Sequence, residues 1–166
     1  VNDIAVRDDT ALKIFFGNQQ TSKIGDGTFK ASVTLRITEN NSTLTYVTDL
    51  NGDGKDDIVQ ANASSNAIYT MLGNGDGTFK YSATINTPFF FDAVSGDYNG
   101  DGKVDLITTN FNAGTIGLLL GNGDGTFNAS VSVGDGLNPF GIAQADFNSD
   151  GITDIVWTNT TDVRVA

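Results

Sequence analysis

The chain has 166 residues, 39% of them apolar, enough to bury a core of its own. Twenty acids against nine bases leave a net charge of −11, which repels nucleic acid and anionic membranes and excludes phosphate-backbone binding. With no cysteine and no histidine, disulfides, thiolate chemistry, imidazole catalysis and ordinary zinc sites are excluded as well.

No apolar run reaches the roughly 18 residues that a membrane helix needs, so no membrane insertion is expected. No basic, apolar leader stands at Val1, so any export signal is expected to lie outside this chain.

Taken in chain order, the sequence repeats itself. It opens on Asn2-Asp3-Ile4-Ala5-Val6, and a turn follows at Gly25-Asp-Gly-Thr-Phe29. A nine-residue aspartate loop then starts at Asp49 and returns at Asp97 and Asp146, spacings of 48 and 49 residues. Between these loops stands a second motif, Gly-Asn-Gly-Asp-Gly-Thr-Phe, at 73–79 and 121–127. A period of this length marks a repeat architecture.

The short apolar runs Ile58-Val59, Leu106-Ile107 and Ile155-Val156-Trp157 read as strands after each loop. Ile68–Leu72 and Ile116–Leu120 read as strands before the glycine turns, and Phe79–Ile85 and Phe127–Val133 as strands after them. No window carries a capped 3.6-residue apolar period, so no substantial helix is expected. Each unit then holds about four strands, the content of one propeller blade. The expected fold is all-β: partial blade 1–40, blade 41–88, blade 89–137 and partial blade 138–166, about three and a half blades within one domain.

The loop pattern Asp-x-Asn-x-Asp-Gly-x-x-Asp, with serine for glycine at its fourth position in the last copy, points to a divalent cation. Asp49, Asn51, Asp53 and Asp57 offer side-chain oxygens, and Lys55 at the seventh position offers its backbone carbonyl. Asp97, Asn99, Asp101, Lys103 and Asp105 repeat the set, as do Asp146, Asn148, Asp150, Ile152 and Asp154. So many hard oxygens suit Ca²⁺, which takes 6–8 of them, better than Mg²⁺, which demands strict octahedral geometry. The sixth position, Gly54, Gly102 or Gly151, is expected at positive φ. An EF-hand is excluded, because its twelfth position requires glutamate and here holds Gln60, Thr108 or Trp157. Without metal, each close carboxylate pair would repel by roughly 1–4 kcal/mol. About three structural Ca²⁺ per chain are therefore expected, coupled to folding.

These motifs resemble the FG-GAP repeats of integrin α-type β-propellers, and particularly their bacterial VCBS-like branch. The fit is closest at Asp146-Phe147-Asn148 and at Leu120-Gly121-Asn-Gly-Asp-Gly-Thr-Phe127. The resemblance implies four-stranded blades around an axis, Ca²⁺ in the hairpin between the first two strands of a blade, and ligands bound by loops at a propeller face. It departs from the family in lacking Gly-Ala-Pro, in keeping only Asp3 of a first loop, and in holding about half of a seven-bladed ring. Either the chain is part of a longer one, or homo-oligomerisation completes the ring.

Phe29, Phe79 and Phe127 read as blade-to-blade core, and Trp157 as core rather than a lectin platform. The Phe89-Phe90-Phe91 run reads as core on one face, with a sugar- or partner-binding patch as the alternative. Asp26, Asp76 and Asp124 read as turn formers. The expected function is an extracellular or cell-surface module, non-catalytic and calcium-stabilised, that presents loops to a protein or glycan. The alternative is an accessory propeller of a larger secreted polysaccharide-active enzyme. Against catalysis, the carboxylates outside the loops, such as Glu39, Asp92 and Asp135, show no pairing in sequence.

Overall fold

The structure is a computed structural model describing residues 4–7, 11–15, 33–36, 42–62, 65–87, 91–135, 137–159 and 161–165. Asp3, the turn at 25–29, Glu39 and Phe89-Phe90 lie outside the described residues.

Strands β1 (Ile4–Arg7), β2 (Ala11–Phe15) and β3 (Val33–Arg36) form one antiparallel sheet. Strands β4 (Ser42–Thr48), β5 (Asp57–Asn62), β6 (Ala67–Gly73) and β7 (Phe79–Asn86) form the second. The third holds β8 (Ala93–Gly96), β9 (Asp105–Asn110), β10 (Thr115–Leu119) and β11 (Val131–Asp135). The fourth holds β12 (Gly141–Ala145), β13 (Asp154–Thr158) and β14 (Val163–Val165).

Every sheet pairs strands in sequence order, so each is an up-and-down meander. Two meanders are four-stranded, with a three-stranded one on either side: a β-propeller of whole and partial blades, as the repeat implies. Among the described residues there is no helix, hence none able to cross a membrane.

The second strand of each whole blade is its centre. β5 and β9 are buried along their full length, because a strand with a sheet neighbour on either edge and a blade on either face meets no water. Alternation then sends successive side chains to opposite neighbours. Ile58 packs with Ile14, Met71 and Phe79 toward the first blade. Val59 and Ala61 join Leu50, Ile68, Leu106 and Leu119 between the second and third. Ile107 and Ile116 meet Trp157 between the third and fourth. Trp157, 7% exposed, is thus core, and so in part are Phe79 and Phe127.

Polar contacts lock the same interfaces. The Thr70 hydroxyl donates to the Gly125 carbonyl at 2.7 Å, joining the second blade to the third blade's glycine turn. Asp92 accepts from Ile142 N at 3.1 Å, and Gln144 Nε2 donates to the Ser95 carbonyl at 2.9 Å, joining the third blade to the fourth.

One expected strand differs. The run 127–133 is a strand only from Val131; Phe127 makes a single bridge to Gly121. Asn128-Ala129-Ser130 has little strand preference, whereas Phe79, Lys80 and Tyr81 of the second blade stay paired in its ladder. Both ladders slip register at the third strand, between Thr70 and Met71 and between Ile116 and Gly117.

Candidate metal loops and inter-blade cleft

Each aspartate loop joins the first two strands of its blade: β4 to β5, β8 to β9 and β12 to β13. The first aspartate curls it. Asp49 Oδ1 accepts from Gly52 N at 2.9 Å and Asp53 N at 3.2 Å, and Oδ2 accepts from Gly54 N at 2.8 Å. Asn51 Oδ1 also accepts from Asp53 N, and Asp53 Oδ1 from Lys55 N, both at 3.0 Å. The same contacts recur at Asp97, Asn99 and Asp101 and, but for one, at Asp146, Asn148 and Asp150. The curl thus collects the oxygens of the first, third and fifth positions around the same few amides.

The expected positive φ at the sixth position is present, at 79° for Gly54, 81° for Gly102 and 83° for Gly151. The fourth position needs it too, and in the last loop Ser149 adopts φ 63° there, a strained conformation for a residue with a Cβ.

Charge in these loops is held by local donors. Asp97 lies below the usual carboxylate range, chiefly because Gly102 N–H donates to it, with further amides adding. Asp53 is lowered first by the hydrogen bond from the Lys55 ammonium, whose Nζ stands 3.0 Å from Oδ2. Tyr98, at the second position of its loop, is pushed up to about 12 by burial and by the Asp105 charge, and its hydroxyl donates to Gln144 Oε1.

The ninth position has a second role. Asp57 is fully buried; Oδ2 accepts from Leu50 N and Oδ1 from Gly73 N, both at 2.8 Å. Asp105 does the same for Tyr98 N and Gly121 N. This carboxylate braces the aspartate loop against the glycine turn of its own blade. The constant 16-residue spacing from Asp57 to Gly73 and from Asp105 to Gly121 is the sequence signal that could have revealed it.

Among the described residues no group of three or more carboxylates is gathered tightly enough to hold a metal ion. The donor set fits one nonetheless. Each loop carries carboxylates at its first, fifth and ninth positions, an amide oxygen and a seventh-position carbonyl on one curl, and the carboxylate oxygens that accept a single N–H, such as Asp49 Oδ2 and Asp53 Oδ1, keep a lone pair.

Outside the aspartate loops, Asp92 and Asp135 are each engaged by other partners. Asp92 accepts backbone N–H from Ala93 and Ile142, and Asp135 pairs with Arg164 Nη1 at 2.8 Å. That ion pair rims a cleft of about 440 Å³ between β11 and β13–β14, lined by Gly134, Asp135, Trp157, Asp162, Arg164 and Val165. The Trp157 indole N–H is buried without a hydrogen-bond partner. Asp135 and Trp157 are 22 residues apart, and nothing in the sequence brings them together.

An aromatic group lies nearby in the chain's course. Phe91 and Phe111 stand edge to face at 5.1 Å, Phe91 and Phe140 at 5.1 Å, and Phe111 and Phe140 at 4.6 Å. Phe91 is half-buried and Phe140 exposed, so this end of the phenylalanine run is neither core nor wholly surface. In a meander, the strand ends that carry the aspartate loops and glycine turns point one way. Phe91, Phe111, Phe140 and the cleft residues stand at or near the other ends.

No curated protein sequence matches this chain. A solved structure that matches is an Agrocybe aegerita lectin, described as the basis of specific recognition of non-reducing terminal N-acetylglucosamine. It agrees with a TM-score of 0.62 at 22% identity over 98% of this chain, and the chain spans 44% of that lectin's length. At that identity the likeness shows the fold. The model of the FG-GAP-like repeat matches residues 49–108 and again 97–157, two successive copies that include all three aspartate loops. The chain belongs to the FG-GAP-like repeat family.

Proposed function

We propose that this chain is a calcium-stabilised, extracellular, non-catalytic propeller module that binds a glycan in the cleft between its third and fourth blades. The observation that carries the reading is the make-up of that cleft. An indole lines it, a guanidinium and two carboxylates rim it, and about 440 Å³ is room for a monosaccharide. A pyranose offers hydroxyls to charged hydrogen-bond partners, and the unpartnered Trp157 N–H in the cleft wall is a further donor, the ring itself being core. The propeller fold shared with an N-acetylglucosamine-recognising lectin supports a sugar over other ligands. Asp135 and Asp162 both pair with Arg164, and Asp92 with backbone amides, which supports binding over acid–base work.

Ca²⁺ would be held by Asp49, Asn51, Asp53, Asp57 and the Lys55 carbonyl, and by the matching residues of the other two loops. It would neutralise carboxylate charge and fix the hairpins. A protein partner is the second reading, favoured by the Phe91, Phe111 and Phe140 group and by Leu137, exposed and three residues before Phe140 in sequence.

The test is a glycan array with the native chain and with Arg164→Ala. Retained sugars whose binding falls about tenfold or more in the variant, at unchanged melting temperature, are expected. No retained sugar, or retention indifferent to Arg164, would remove the cleft from consideration.

A further inference from the structure

The seventh loop position, read from sequence as offering its backbone carbonyl, also places its side chain in the fold. The Lys55 stem lies against Gly75 of its blade's glycine turn. A Cβ added there would come within 3.0 Å of Lys55 Cδ. Lys103 lies on Gly123 in the same way, at 3.2 Å. Bare glycine thus gives each stem a seat, and the seated ammonium ends over the fifth-position carboxylate. Lys55 Nζ stands 3.0 Å from Asp53 Oδ2, and Lys103 Nζ 3.8 Å from Asp101 Oδ2. The last loop has Ile152 in this place, 68% exposed, and no cation on Asp150 among the described residues.

We infer that Lys55 and Lys103 are tethered counter-ions that divide the three loops into two classes of cation site. In the first two loops the ammonium already neutralises one carboxylate, so an incoming divalent ion meets a positive charge that it must displace or tolerate. The loop of Asp146 to Asp154 holds its carboxylates without that partner and binds more tightly; the contrast is sharpest with the loop of Asp97 to Asp105, because in the first loop the extra carboxylate of Asp56 offsets part of the Lys55 charge. The inference rests on the calcium reading above, and it adds an order of filling: the last loop first, then the two lysine loops.

Calorimetric titration of chelated protein with CaCl₂ tests both and separates them. Expected is one tight site and two weaker ones, apart by roughly tenfold, the size of one unit charge at a few ångströms near a surface. Lys55→Ile with Lys103→Ile should tighten the weak pair toward the third site, and Ile152→Lys should weaken the tight one. Because these side chains are largely exposed, the variants are expected to fold, and circular dichroism with Ca²⁺ present checks it. Uptake in a single class that none of the substitutions moves would overturn the two-class proposal while leaving calcium binding intact. No uptake at all would overturn both.

Discussion

In both glycine turns a single side chain carries more than its type suggests. Asp76 Oδ1 accepts from the Thr78 hydroxyl at 2.6 Å and from Thr78 N at 2.9 Å, and Asp124 does the same with Thr126. Those bonds, the hydroxyl's first, hold both carboxyls below their ordinary 3.8. A carboxyl lowered by folding contributes stability above its unfolded value and loses it as pH falls through the lowered folded value. Thr126→Val should therefore melt below the native chain at pH 7, and the gap should narrow as pH falls below the ordinary carboxylate range, as calorimetry across that range would show. At this scale the sequence was informative wherever one residue decides its own neighbourhood. The curl of the loop at Asp49 and the turn at Asp76 follow from short-range bonding that spacing alone encodes. The strain at Ser149 was not legible, because the glycine-for-serine comparison matters only once φ is known.

A blade is set by how its hairpins are joined. The Asp105 brace brings the glycine turn so close that a Cβ on Gly121 would lie 2.0 Å from the Val104 carbonyl oxygen. Neither backbone can yield, so Gly121→Ala should cost about 3 kcal/mol or more, measured by denaturant unfolding. Gly134→Ala, in open space, should fall within about 0.5 kcal/mol of the native chain, which makes it a control. Strand order was readable from the alternation of loop and turn motifs. The late start of β11 was not, since an irregular stretch of Asn-Ala-Ser still satisfies its backbone, as the Asn128 N–H to Leu120 carbonyl bond of 2.8 Å shows. The cleft was illegible for a different reason: Asp135 and Arg164 meet only because two meanders stack, and no local rule fixes which rim residues face each other.

Across the molecule, the nine ligand-position aspartates sit at one end of the blades, with Asp56, Asp76 and Asp124 at the same end, so electrostatic repulsion there bears on every hairpin at once. Chelation should lower the melting temperature by about 10 °C or more, with recovery on adding Ca²⁺, whereas Mg²⁺ at equal concentration should restore less. A melting temperature indifferent to chelator would remove calcium from the account of stability. The inter-blade contacts, apolar at Val59, Leu106 and Trp157 and polar at Thr70 and Gln144, link neighbours only, as in any stacked repeat.

The two ends of each blade are therefore chemically independent poles. Turns such as the one between β13 and β14 can be rewritten without disturbing the hairpins that carry the aspartates, because the strands between them insulate one pole from the other. A library randomised at Asp135, Asp162 and Arg164 is then expected to alter the proposed recognition on an unaltered frame.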